Sequence, residues 1–119
     1  MIIISKRLLV YVIGAYSGNI EENIEKAENV SISLIRNGYH VITPHKNTAG
    51  YEKYQNNLLA PGLYITYQTW IEMDLNIMSR CDAVYVMDNV SESNGSKIEI
   101  EYAKKLGLKF LDKEDGICL

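Results

Sequence analysis

Asp74 occupies an unusual place in the sequence, inside the apolar stripe of a predicted helix. Trp70, Ile71, Leu75 and Met78 follow the spacing of one helical face, and Asp74 falls among them. A carboxyl on such a face must find a hydrogen-bond partner or have its pKa raised by burial. Two interpretations fit this position: a structural aspartate bonded to a nearby backbone group, or a group with a chemical role.

A second carboxyl, Glu99, shares the apolar face of the next predicted helix with Tyr102, Ala103 and Leu106. We predict that this helix begins at Ser96, which places Glu99 in the first turn, where the helix dipole favours an anion. An ionised carboxylate there is suited to act as a nucleophile. The same segment also fits a capping box, in which Glu99 only accepts a hydrogen bond from the backbone N–H of Ser96.

Seven candidate ligand-binding residues follow the ends of predicted strands, and they are Gly14, Tyr16, Asn19, His45, Ser93, Gly95 and Ser96. In parallel sheets this edge is where ligands bind. The Tyr16 ring is placed to stack on a base. The turn from Ser93 to Ser96 either offers backbone N–H groups and hydroxyls to a phosphate or sugar, or is a plain N-cap.

The patterns typical of metal and organic cofactor sites are missing from the sequence. His40 and His45 are separated by a predicted strand, and neither cysteine has a CxxC partner. Gly14 and Gly18 are spaced four apart, unlike the glycines of GxGxxG or of the P-loop. We therefore expect a protein without a metal and without a cofactor.

Short β-branched runs alternate with helical patterns along the chain. Predicted strands cover residues 8–13, 39–43, 83–87 and 108–111, and predicted helices cover 20–37, 63–81 and 96–106, with a long polar loop at 45–63. This alternation predicts one α/β domain over residues 1–119, a three-layer flavodoxin- or Rossmann-like parallel sheet of four to five strands with helices on both faces. We expect the carboxyls of Asp74 and Glu99 to face one cavity at its edge.

Composition narrows the class of partner. The net charge is −3, and no stretch is rich in Lys and Arg, which argues against a nucleic acid polymer as ligand. The apolar opening Met1–Ile4 is too short for a signal peptide, and no run approaches the roughly 20 apolar residues of a membrane span. We expect a cytoplasmic protein with no membrane partner and with both cysteines reduced.

Taken together, three segments resemble the nucleoside 2-deoxyribosyltransferase superfamily, including its 5′-monophosphate N-glycosidase branch and its small phage-type relatives. The first is the run from Tyr11 to Tyr16, and the second is Asp74-Leu75 with Asp82 eight residues after Asp74. The third and most specific is Gly95-Ser96-x-x-Glu99. The resemblance extends over residues 8–110.

The resemblance implies cleavage or exchange of the N-glycosidic bond of a (deoxy)nucleoside or its 5′-monophosphate, without a cofactor. It implies that Glu99 is the nucleophile held by Tyr11, that Asp74 helps to protonate the departing base, and that Tyr16 and His45 lie in the pocket. Ser93 resembles the monophosphate branch, which carries Ser at this position, whereas the transferases usually carry an acidic residue there. That branch also uses a Ser and an Arg in its first loop, where this chain has Ala15 and Ser17, so the phosphate site is incomplete. Lys6, Lys46 and Lys53 are the candidates to replace the missing phosphate ligands.

The resemblance also implies a homodimer or larger homo-oligomer, for which the plausible interface carries Tyr51, Tyr54, Tyr64 and Tyr67. Two other functions fit the same sequence. One is a nucleotide-binding or sensing module without turnover. The other is a protein-interaction domain of flavodoxin-like shape, which would have no affinity for nucleotides.

Overall fold

A single parallel sheet organises the protein. The computed structural model describes residues 7–47, 51, 54, 62–91 and 93–116. Within them the strands are β1 (Leu9–Ile13), β2 (His40–Ile42), β3 (Ala83–Val86) and β4 (Lys109–Phe110). All pairs are parallel and the order is β2-β1-β3-β4, so β1 and β3 are central. The predicted α/β class is confirmed, with four strands in the described part of the chain.

The helices are α1 (Ile20–Arg36), α2 (Pro44–Asn47), α3 (Tyr67–Met78) and α4 (Asn94–Leu106). Short 3₁₀ turns follow β3 and β4, at Asp88–Val90 and Lys113–Gly116. None of the helices that the structure describes is long and apolar enough to cross a bilayer.

The alternation of side chains along β1 divides the core into two layers. Val10 and Val12 pack on the face covered by α1, together with Ala27 and Leu34. Tyr11 and Ile13 face the other way, towards the layer of α3 and α4. Helices therefore cover both faces of the sheet, as predicted.

The start of α4 differs from the prediction. The Ser93 side chain accepts a hydrogen bond from the backbone N–H of Ser96 (3.1 Å), so the helix begins at Asn94 and not at Ser96. Glu99 consequently lies in the second turn, beyond the free N–H groups of the helix end. The predicted capping box between Ser96 and Glu99 is wrong, because Ser96 is inside the helix. The end is as expected, since Gly107 adopts the left-handed conformation (φ 71°) that favours glycine.

Two other boundaries also shift. The helix predicted over 63–81 is shorter, because Thr66 caps α3 by accepting a hydrogen bond from the backbone N–H of Thr69. The loop predicted over 45–63 begins inside the short helix α2, and most of the rest of that loop lies outside the described residues.

Candidate active site

A cavity of about 550 Å³ lies at the carboxyl edge of the sheet. Eight of the residues predicted for the site line it, and they are Gly14, Tyr16, His45, Asp74, Ser93, Gly95, Ser96 and Glu99. The expectation that the carboxyls of Asp74 and Glu99 share one cavity is therefore confirmed. Asn19 is outside this lining, and its side chain instead caps α1 by accepting from the backbone N–H of Glu22 (3.2 Å).

Tyr11 and Glu99 form a buried pair across the sheet–helix interface. The Tyr11 hydroxyl donates a hydrogen bond to Oε2 of Glu99, and both side chains are almost completely shielded from solvent. Burial raises the pKa of Tyr11, so its hydroxyl stays protonated and remains a donor.

Glu99 does not have the electrostatics that its predicted first-turn position implied. Burial raises the pKa of Glu99 to about 8, and the negative charge of Asp74 adds to the increase, while the hydrogen bond from Tyr11 opposes it. At neutral pH Glu99 is therefore mostly protonated.

Asp74 projects from α3 into the same cavity. Burial raises its pKa to about 6, as its apolar surroundings predicted. Its Oδ1 atom is shielded from solvent and has no hydrogen-bond partner among the described residues. This oxygen therefore does not make, to any backbone group that the structure describes, the hydrogen bond that a purely structural aspartate would make.

His45 lies in α2, directly after β2, and is only 3% exposed. Its Nε2 is 2.8 Å from the carbonyl oxygen of Ala15, so Nε2–H donates and Nδ1 is left as an acceptor. Burial lowers the pKa of His45 and keeps the ring neutral. The Tyr16 ring packs edge-on against it at 6.0 Å between centroids.

Buried polar atoms without a partner are concentrated at this cavity. Among the described residues, four such side-chain atoms occur: His45 Nδ1, Trp70 Nε1, Asp74 Oδ1 and Ser96 Oγ. All four residues line the cavity. Each unsatisfied buried group costs about 1–3 kcal/mol, so this clustering indicates a site whose hydrogen bonds are completed by a polar ligand.

Trp70 was missed as a site residue by the sequence analysis. It precedes Asp74 by one helical turn, so the two side chains share a face of α3. Its ring stacks on that of Tyr51, with centroids 6.1 Å apart. The position of Trp70 in the apolar stripe indicated core packing, and the apolar spacing gave no separate signal for a cavity wall.

Two of the four aromatic side chains predicted to form a subunit interface lie at the cavity. Tyr64 and Tyr67 line it and are about half exposed, and Tyr51 is similarly exposed. Tyr54 is partly buried. Their role in assembly stays a prediction.

Of the three lysines predicted as candidate phosphate ligands, Lys46 is the one that the structure describes. Lys46 is exposed, lies 3.8 Å from Glu28, and is not part of the described lining. Lys6 and Lys53 lie outside the described residues. No cluster of three His, Cys, Asp or Glu side chains suited to a metal ion occurs in the part of the chain that the structure describes.

Comparison with known proteins gives a family and a fold relative. Residues 8–112 match the family described as "Domain of unknown function (DUF4406)". No curated protein matches the sequence. A solved structure of a 2-deoxyribosyltransferase from the psychrotolerant bacterium Bacillus psychrosaccharolyticus, described as a biocatalyst for the synthesis of nucleosides, superposes with a TM-score of 0.62. The identity is 15%, with 86% of this chain and 69% of that chain covered, so the likeness is one of fold.

Proposed function

The chain belongs to the DUF4406 family, and we propose that it cleaves or exchanges the N-glycosidic bond of a (deoxy)nucleoside or its 5′-monophosphate through a glycosyl ester on Glu99. The observation that carries the proposal is a pair of carboxyls on one cavity, the half-buried Asp74 and the buried Glu99, with the Tyr11 hydroxyl bonded to Glu99. The fold likeness to a 2-deoxyribosyltransferase supports a nucleoside as the ligand.

In the first step of this mechanism, a carboxylate oxygen of Glu99 attacks C1′ of the sugar. The C1′–N bond breaks, its electron pair stays on the base nitrogen, and Asp74 donates a proton to the departing base. The hydrogen bond from Tyr11 holds the Glu99 carboxyl in place during the attack.

In the second step, the ionised Asp74 takes a proton from the incoming group, which attacks C1′ and breaks the C1′–O bond to Glu99. Water as that group gives hydrolysis, whereas a second base gives exchange. Two displacements at C1′ return the original configuration.

The pKa values of Asp74 and Glu99 determine how often the two groups are in the protonation states that the reaction needs. The nucleophile must be ionised, yet the pKa of Glu99 is about 8, and the acid must be protonated, yet the pKa of Asp74 is about 6. At pH 7 only a small minority of sites therefore carries both groups in the reactive form. A ligand that shifts the proton from Glu99 to Asp74 would therefore raise the rate directly.

Two features of the cavity lining have opposite effects on the binding of a 5′-monophosphate relative to a nucleoside. The carboxyls of Asp74 and Glu99 disfavour an anion beside them. The amino end of α4, with Ser93, Gly95 and Ser96, favours one. A substrate panel must therefore contain both forms.

The raised pKa of Glu99 also favours the second candidate, a nucleotide-binding module of the same fold without turnover. A protonated Glu99 is a poor nucleophile but a competent hydrogen-bond donor. Such a module would bind nucleosides and release no base.

The test is free-base release from a panel of nucleosides and 5′-monophosphates, with and without an acceptor base. Wild type is compared with Glu99→Ala and with the matched control Glu101→Ala, an exposed acid of the same helix. We expect release by wild type and the control, and none by Glu99→Ala. Binding without release by wild type would establish the module instead.

A further inference from the structure

The β1–α1 loop, residues 14–19, is tied to two distant segments through a single residue. The backbone N–H of Ala15 donates to Oδ1 of Asn89 (3.1 Å), in the 3₁₀ turn after β3. The carbonyl oxygen of Ala15 accepts from Nε2 of His45 (2.8 Å), in α2. Both backbone groups of Ala15 are therefore used by side chains that lie 74 and 30 positions away.

Asn23 holds the next part of the same loop. Its Nδ2 donates to the carbonyl oxygens of Tyr16 (3.2 Å) and Ser17 (2.8 Å). Its Oδ1 accepts from Nδ2 of Asn89 (3.4 Å), which joins the two asparagines. Asn23 is 9% exposed, so these bonds are largely protected from competition by water.

We infer that Asn23 and Asn89 are positioning residues that hold the β1–α1 loop in its ligand-binding shape before a ligand arrives. Neither belongs to the described lining of the cavity, whereas Gly14, Ala15 and Tyr16 of the loop do. The two asparagines therefore act through the loop. The identity of the ligand rests on the proposed function, but the loop clamp does not.

The clamp determines what the loop can offer to a ligand. The carbonyls of Ala15, Tyr16 and Ser17 and the N–H of Ala15 already have partners within the protein. The loop consequently presents the Tyr16 ring as a fixed wall. Pre-formed walls improve binding because no ordering cost is paid when the ligand enters. Loss of the clamp should therefore weaken binding more than it slows the chemical step.

The first measurement is hydrogen exchange of the Ala15 amide by NMR, without ligand. The variants are Asn89→Ala, which removes the acceptor, and Asn23→Asp, which sets a carboxylate against two carbonyls. The matched control is Asn29→Asp, an exposed position of α1 with the same charge change. We expect exchange at Ala15 to be faster by about fivefold or more in both variants, the typical effect of losing one hydrogen bond. The amide of Val12, in the core of β1, and the control should remain at the wild-type rate.

The second measurement separates positioning from a merely structural role. Where base release is detectable, KM should rise while kcat and the pH profile stay at wild-type values. Wild-type exchange at Ala15 in a folded Asn89→Ala variant would overturn the inference, as would a loss of kcat at constant KM.

If Asn23→Asp does not fold, Asn23→Ser and Asn89→Ala decide by the same criteria. Because exchange needs no substrate, the clamp is tested even if the wild type releases no base. Failure of the proposed function and failure of this inference therefore give different results.

Discussion

In the described part of the chain, buried polar groups on the α1 face of the central sheet have hydrogen-bond partners, whereas several of those around the cavity do not. On the α1 face, the Ser31 hydroxyl donates to the carbonyl of Ala27 (2.7 Å) and lies 2.6 Å from the Thr43 hydroxyl. Ser33 likewise donates to the carbonyl of Asn29 (3.0 Å). Around the cavity at the carboxyl edge, buried polar atoms of Trp70 and Asp74 on α3, Ser96 on α4 and His45 on α2 lack partners among the described residues.

This difference separates the residues that stabilise the fold from those that line the candidate site. The α1 face is an apolar core whose polar groups are satisfied, and such a core stabilises the fold. The α3–α4 face carries carboxyls with raised pKa values, and the burial of these groups costs stability. Because β1 contributes alternate side chains to both faces, each face can be tested by its own substitution.

The largest expected effect comes from Asp74→Asn on the α3–α4 face. The amide cannot donate the proton that the departing base needs, so base release should fall by about 10²–10⁴-fold. The melting temperature at pH 7 should not fall, because the neutral amide avoids the cost of an ionised buried carboxyl. The exposed Glu72→Gln on the same helix should behave as wild type, and equal losses in both variants would contradict the role of Asp74.

The reverse result is expected from Leu34→Ala on the α1 face. Leu34 is completely buried against β1, and its truncation should lower the free energy of unfolding by about 2–5 kcal/mol. Denaturant unfolding measures this loss. Well below the melting temperature kcat should be unchanged, and a large change in kcat would mean that the two faces are not independent.

A smaller effect is expected from Tyr11→Phe, which removes only the hydrogen bond to Glu99. Because that bond lowers the pKa of Glu99, its loss should raise the pKa above about 8. Base release should fall by about ten- to a hundredfold, the effect of losing a bond to a charged group. An NMR titration of the Glu99 carboxyl measures the pKa directly, and an unchanged value would show that Tyr11 does not tune it.

A further expected effect is a slope of stability with pH. Since both carboxyls have folded pKa values above their unfolded ones, the folded state holds more protons between about pH 4 and pH 8. Stability should therefore fall as pH rises through that window. The double variant Asp74→Asn, Glu99→Gln should flatten melting temperature against pH, while Glu101→Gln should keep the wild-type slope. A wild-type slope in the double variant would contradict the raised pKa values.

Local sequence patterns were sufficient to predict the layers of helices and sheet and to identify Asp74 and Glu99 as a pair of carboxyls at one cavity. The β-branched run of β1 and the apolar stripe around Asp74 reflect burial, and burial is what hydrophobic spacing reports. The start of α4 was harder, because Ser93 and Ser96 are both good N-caps and only the three-dimensional turn selects Ser93. That shift of two residues moved Glu99 out of the first turn, where the helix dipole favours an anion, and burial raises its pKa.

The loop clamp could not be predicted in the same way. Asn23 and Asn89 are 66 positions apart, and each reads in the sequence as an ordinary polar residue of a helix or a turn. Their partners are backbone groups of the β1–α1 loop, which carry no sequence signal. Contacts of this kind follow only from the spatial order of the strands, which places the end of β3 beside the end of β1.

The stereochemistry at C1′ tests the central claim most directly, namely that Glu99 forms a glycosyl ester. Methanol would be supplied as the acceptor with the best nucleoside from the panel, because a methyl glycoside does not change its anomeric form after release. Proton NMR of the early product should show the β anomer of the starting nucleoside, since two displacements retain configuration. An α anomer as the first product would mean a single displacement and would contradict a covalent role for Glu99.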